Sequence, residues 1–136
     1  MKIFVSGQIE DIENVRKVQA EFISAGHQIT HDWTTNLTGV DMLGSREAKL
    51  ENLDESKKRA TDDINGVVNS DIYVICTDNE KAGKGMYVEL GAALALHAKY
   101  NVPKIYLLGA MNHMSIFYLH PVVIRVDSVS DILKSL

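Results

Sequence analysis

The chain has 136 residues, of which 46% are hydrophobic and 24% are charged, and its net charge is −4. These values are typical of a single soluble domain with a sizeable core, here spanning residues 1–136, and they give no electrostatic reason to expect nucleic acid or an anionic membrane as a partner. The single cysteine excludes an internal disulfide and favours a reducing compartment, so we expect a cytoplasmic protein.

The first half of the chain alternates short apolar segments with segments of helical periodicity. The predicted elements are a strand over Lys2–Val5, a helix over Asp11–Ala25 that Gly26 ends, a strand over His27–Thr30, a polar stretch from His31 to about Arg46, and an amphipathic helix within Glu47–Asn69. The N-terminus enters the first strand without a signal-peptide pattern, and no apolar run approaches the roughly 20 residues of a membrane helix.

The second half continues the alternation. The predicted elements are a strand over Ile72–Cys76, a helix over Met86–Tyr100, a strand over Lys104–Leu108, an irregular or short helical segment over Gly109–His120, a strand over Val122–Val126, and a final helix with Ser128 as its N-cap. This order predicts an α/β fold: a single-domain, flavodoxin-like (Rossmann-like) sandwich, with a five-stranded, mostly parallel sheet and helices on both faces.

Three loops should open on one edge of this sheet, because they follow the carboxyl ends of parallel strands. They are Ser6–Glu10, His31–Thr35 and Thr77–Gly85. Open α/β sheets usually bind their ligands at this edge. We therefore expect the functional side chains to come from these loops and from the helices that follow them.

The most informative segment is Gly83–Gly91, with the sequence GKGMYVELG. Gly83 and Gly85 let the backbone approach a ligand closely or adopt positive φ. The segment places Glu89 within an otherwise apolar helical run. A carboxylate near a helix N-terminus can simply be stabilised by the helix dipole. A buried carboxylate without a role is costly, however, so we favour a functional role for Glu89.

Segment Gly83–Gly91 resembles the nucleophile segment of the nucleoside 2-deoxyribosyltransferase family, and GHQITHDWT at Gly26–Thr34 resembles that family's second strand and exit loop. The resemblance extends over nearly the whole chain. It implies that Glu89 is a nucleophile that forms a glycosyl-enzyme intermediate, and that Asp63 on the second helix protonates or holds the departing base. The implied activity is cleavage or transfer at a nucleoside N-glycosidic bond, without a cofactor.

The resemblance also implies a set of substrate-binding residues around these two carboxylates. They are Ser6, Gly7, Trp33, Asp78, Gly83 and Gly85. Trp33 has two interpretations of equal weight, a face on which a base stacks or an ordinary partly buried tryptophan. We reject a zinc pair of His27 and His31, because four residues of strand separate them by roughly 13 Å.

The charge of the first loop bears on the substrate. Glu10 and Asp11 occupy positions where nucleotide-cleaving relatives tend to carry basic residues, and acidic groups there repel a phosphate. We therefore expect unphosphorylated nucleosides as substrates, although Lys81, Lys84 and Arg46 could offset the repulsion. The alternatives are a 5′-monophosphate N-glycosidase, a non-catalytic nucleoside or nucleotide sensor, and an oligomeric scaffold whose carboxylates only cap helices.

The third predicted helix is apolar nearly all round. It carries small residues at Gly91, Ala92, Ala93 and Ala95 beside three leucines. One face of a sheet cannot cover such a helix, although another helix of the same chain could cover the remainder. We expect a homodimer or a higher homo-oligomer.

Overall fold

The computed structural model describes residues 1–35, 37, 46–80 and 85–136. Its elements are β1 (Lys2–Ser6), a 3-10 turn (Ile9–Asp11), α1 (Ile12–Ser24), β2 (Gln28–Ile29), α2 (Arg46–Glu51), α3 (Leu53–Val68), β3 (Ile72–Cys76), α4 (Gly85–Tyr100), β4 (Lys104–Leu108), a second 3-10 turn (Ile116–Leu119), β5 (Val123–Val126) and α5 (Val129–Lys134). Within these ranges, no helix combines the length and apolarity that crossing a membrane requires.

The five strands form one sheet in the order β2-β1-β3-β4-β5, and every neighbouring pair is parallel. This is the flavodoxin-like order, so the predicted fold class is confirmed. From the central pair β1 and β3, the sheet continues to β2 on the β1 side and to β4 and β5 on the β3 side. The gap between the carboxyl ends of β1 and β3 is therefore the switch point at which such sheets bind ligands.

Each face of the sheet has its own apolar core, because successive strand residues point to opposite faces. On one face Ile3 and Val5 pack with residues of α1 and α5, including Phe22 and Ile132. On the other face Phe4 and Tyr73 pack with α4 through residues that include Leu90. Ser6 is two residues after Phe4, so its side chain points to the same face of the sheet as Phe4. The last side chain of β1 therefore lies on the α4 side.

Several predicted boundaries differ from the structure by one residue or more. The second strand is only Gln28–Ile29, although the backbone nitrogen of Thr30 still donates to the carbonyl of Ile3 on β1. The helical segment within residues 47–69 is divided at Asn52 into α2 and α3. Gly85 is the first residue of α4 rather than part of the preceding loop. The predicted N-cap is confirmed, since Ser128 and Asp131 form a capping box.

Candidate active site

The centre of the site is a hydrogen bond between the end of β1 and the second turn of α4. The Ser6 hydroxyl donates to Oε1 of Glu89 at 2.6 Å, and both residues are buried, with Glu89 only 8% exposed. The sequence places them 83 positions apart. The fold thus brings two predicted site residues together at the switch point between β1 and β3.

Tyr73 extends this pair into the sheet. It is fully buried on β3, and its hydroxyl donates to the carbonyl oxygen of Met86 at 3.2 Å. Burial, together with the nearby carboxylate of Glu89, raises the pKa of Tyr73 well above its ordinary value. The phenol therefore stays neutral and remains a hydrogen-bond donor beside the carboxylate.

The surroundings of Glu89 favour its protonated form. Burial is the largest cause and raises the pKa of Glu89 from 4.5 to about 8; the hydrogen bond from Ser6 opposes this rise, and the negative charge of Asp63 adds to it. Glu89 is therefore mostly protonated at neutral pH in the free protein. It becomes an ionised, poorly solvated carboxylate only as the pH approaches 8.

Because its pKa is raised, Glu89 destabilises the folded protein at alkaline pH. Burial destabilises only the ionised form of Glu89. The loss of folding stability is therefore absent below the ordinary pKa of 4.5 and complete above the folded-state pKa of about 8. We expect Glu89→Gln to raise the free energy of unfolding by roughly 3–5 kcal/mol at about pH 9, and by far less at about pH 5. Urea denaturation of both proteins at the two pH values measures this difference.

A matched control for this experiment is Glu21→Gln, because Glu21 is exposed on α1. That variant should leave stability nearly unchanged at both pH values. An equal gain for Glu89→Gln at the two pH values would show that ionisation of Glu89 is not what destabilises the folded protein.

Asp63 reaches the same region from α3. Its Oδ1 lies 3.3 Å from Nε2 of His31, with the two side chains 33% and 24% exposed. α3 can approach the sheet closely because residue 66 is glycine: a Cβ there would lie 2.7 Å from the ring of Phe4 and 2.9 Å from Cβ of His31. The structure thus brings Asp63 into the electrostatic neighbourhood of Glu89. Sequence reasoning considered His31 only as a metal ligand and missed this contact.

Gly7 and Trp33 lie beside the end of β1 and support it. A Cβ at residue 7 would lie 2.5 Å from Cγ2 of Val15, so only glycine lets α1 pack this closely. The indole nitrogen of Trp33 donates to the carbonyl of Val5 at 2.8 Å, and the ring packs against both apolar cores. Trp33 is therefore a partly buried structural residue, and base stacking on it stays a prediction.

The turn that carries Trp33 is held by neighbouring side chains. Oδ1 of Asp32 accepts hydrogen bonds from the backbone nitrogen of Thr34 at 3.0 Å and from Nε2 of Gln19 at 3.2 Å. Arg16 donates to the carbonyl of Thr34 at 2.7 Å. These bonds attach the loop after β2 to α1 and fix the position of the indole.

The hydrogen bonds of Asp78 run to the loop after β4 instead of to Glu89. Its Oδ1 accepts from the backbone nitrogen of Ala110, and its carbonyl accepts from the side chain of Asn112, both at 2.8 Å. Gly109 has a φ of +122°, and a Cβ there would lie 2.6 Å from Oδ1 of Asp78. Asp78 thus fastens two loops at this edge, and a role in substrate binding stays a prediction.

The glycine turn before α4 is described only in part. Gly83 lies outside the described residues, as do Lys81 and Lys84. Gly85 is exposed, and a Cβ on it would meet open space. Among the residues that the structure describes, nothing around Gly85 requires a glycine for packing, and close approach to a ligand stays the predicted reason for it.

Two buried carboxylates at this edge have partners that the sequence did not indicate. Glu80 accepts hydrogen bonds from the hydroxyls of Tyr118 at 2.5 Å and Tyr87 at 3.4 Å. Asp11 accepts from the side-chain amide of Asn79 at 2.7 Å. The contacts of Tyr118 with Glu80 and of Asn79 with Asp11 join segments that are distant in sequence, so local patterns carry no signal for them.

Comparison of the chain with protein-family models, with curated proteins and with solved structures found no match in any of the three.

Proposed function

We propose that the protein cleaves or transfers the N-glycosidic bond of a nucleoside, with Glu89 as the nucleophile. The observation that carries this proposal is the buried hydrogen bond between Ser6 and Glu89 at the switch point of the sheet. A poorly solvated carboxylate is a reactive nucleophile once ionised. Asp63, on a neighbouring helix and one-third exposed, supplies the second carboxylate that this chemistry needs.

The reaction has two steps. In the first, an oxygen of ionised Glu89 attacks the anomeric carbon, the carbon–nitrogen bond breaks, and its electron pair goes to the base, which takes a proton from Asp63. In the second, an acceptor base or water attacks the anomeric carbon and gives a proton to Asp63, and the bond to Glu89 breaks. Ser6 donates to Glu89 before and after the attack, so it orients the oxygens of the nucleophile.

The charge state of Glu89 sets the conditions for an assay. The nucleophile must be ionised, and the pKa of Glu89 is raised to about 8. The rate with a substrate that needs no acid assistance should therefore increase as the pH rises towards 8 and level off above it. A rate that falls over this range would contradict nucleophilic attack by Glu89.

The test is one incubation of the protein with a mixed pool of nucleosides and free bases, read by chromatography. Free base together with released sugar indicates hydrolysis, and an exchanged nucleoside indicates transfer.

A second pool of 5′-monophosphates tests whether the substrate carries a phosphate. We expect the unphosphorylated pool to react faster, because Glu10 is exposed beside the end of β1 and repels a phosphate. Ligand-induced thermal stabilisation without any product would instead favour a nucleoside sensor.

We also propose that the chain forms a homodimer through α4. The outer side of α4 exposes Val88 and the small residues Gly91 and Ala95. Beside them lies a groove of about 480 Å³ lined by residues that include Leu94 and Phe117. The adjoining 3-10 turn exposes large apolar side chains, which are Ile116 at 75%, Phe117 at 58% and Leu119 at 61%.

A groove and projecting apolar side chains on one face make that face self-complementary under two-fold symmetry, which favours a second copy of the chain as its partner. We expect light scattering at micromolar concentration to give the mass of a dimer, and Gly91→Glu to lower it to that of a monomer. The matched control is Glu21→Gln on α1, which should remain dimeric. A monomeric wild-type protein would contradict the proposal.

A further inference from the structure

The contact between His31 and Asp63 has no part in the two-step reaction described so far. It joins the loop after β2 to α3 and is fixed by the close packing of Gly66, one turn after Asp63. The hydroxyl of Thr30, the residue before His31, donates to the Gly66 carbonyl at 2.8 Å. These contacts hold the imidazole near the carboxylate.

The chemistry of this contact depends on a proton. The contact is an ion pair when His31 is protonated. In that state the pair carries one proton that it can give up, and giving it up leaves a neutral imidazole beside an ionised carboxylate. Asp63 is also the carboxylate that acts electrostatically on Glu89. Asp63 therefore interacts with both the imidazole and the proposed nucleophile.

We propose that His31 is a positioning residue that holds, together with Asp63, the proton that passes to the departing base. This inference rests on the proposed function. As the carbon–nitrogen bond breaks and its electron pair goes to the base, the base takes the proton of the pair, leaving neutral His31 and ionised Asp63. Attack by the acceptor returns a proton to the pair.

The kinetic test uses His31→Gln, which cannot carry the proton. With a natural nucleoside we expect kcat to fall by roughly one to two decades at unchanged KM, less than the loss for the acid itself. With an activated nitrophenyl glycoside, whose leaving group needs no proton, we expect no change. In an Asp63→Asn background the substitution should have no further effect, because the pair is already broken. The matched control is His27→Gln, at the residue immediately before β2, which should behave like the wild type.

Equal slowing of both substrates by His31→Gln, or a full additional loss in the Asp63→Asn background, would overturn the proposal. A second measurement needs no turnover and does not require the His31 variant to fold. Asp63→Asn should move the imidazole nitrogen NMR resonances of His31 and leave those of His27 in place. Unmoved resonances would refute the shared proton. If these resonances move but the wild-type protein turns over no nucleoside, the proposed function fails while the paired groups stand.

Discussion

Replacing Glu89 by glutamine is expected to lower nucleoside turnover by several decades while the protein stays folded. Glutamine has nearly the same shape and can still accept the hydrogen bond that Ser6 donates to the carboxylate at 2.6 Å. It cannot form the glycosyl-enzyme bond, and covalent catalysts that lose their nucleophile lose activity on this scale. The measurement is kcat with a natural nucleoside, accompanied by circular dichroism to verify the fold.

A matched control separates loss of the nucleophile from damage to this edge of the sheet. Glu80 is also a buried carboxylate there, but its hydrogen bonds go to Tyr87 and Tyr118. Glu80→Gln should retain activity within a few-fold. If a folded Glu89→Gln protein kept near-normal turnover, the proposed mechanism would be wrong. Equal losses of activity in both variants would indicate that structural damage at this edge of the sheet, and not the loss of the Glu89 carboxylate, lowers the rate.

Replacing Asp63 by asparagine should slow substrates according to how much their leaving group needs a proton. General acid catalysis typically contributes about 10²–10⁴-fold, so natural nucleosides should lose this much in kcat. An activated nitrophenyl glycoside should lose little, because its leaving group departs as an anion. Removing the charge of Asp63 also removes one cause of the raised pKa of Glu89, so the rise of activity with pH should move towards lower pH.

The neighbouring residue provides the control. Asp62 lies on the same helix, but it pairs with Lys58 one turn earlier, and its pKa is lowered chiefly by that hydrogen bond. Asp62→Asn should leave both classes of substrate unaffected. Identical slowing of natural and activated substrates by Asp63→Asn would count against its role as an acid.

Much of the fold follows from local pattern. Some signals are contained in a few consecutive residues, such as the apolar run at Ile72–Cys76 and the helical periodicity before Ser24. The structure has a strand and a helix at these places. The ends of elements depend on partners elsewhere, so they were harder to predict. The second strand is predicted one residue too long at each end: Thr30 still donates a backbone hydrogen bond to Ile3, but it is not part of the strand.

The site, too, has features that local sequence predicts and features that depend on distant partners. The position of Glu89 behind a glycine turn was visible in the sequence, and the topology rule placed Ser6 at the same edge. The distance of 2.6 Å between them depends on the registry of α4 against β1, which no local pattern encodes. The contact of His31 with Asp63 depends on the missing Cβ of Gly66, and the sequence shows that glycine without showing what packs against it.

Both attachments that fix Glu89 belong to the sheet. Ser6 holds its carboxylate, and Tyr73 holds the first turn of α4 through the carbonyl of Met86. The carboxylate is therefore positioned from the sheet, whereas Asp78 and Asn79 in the loop after β3 bind other segments of the chain instead. A substitution at either of these loop residues should thus disturb the position of the Glu89 carboxylate less than a substitution at Ser6 or Tyr73.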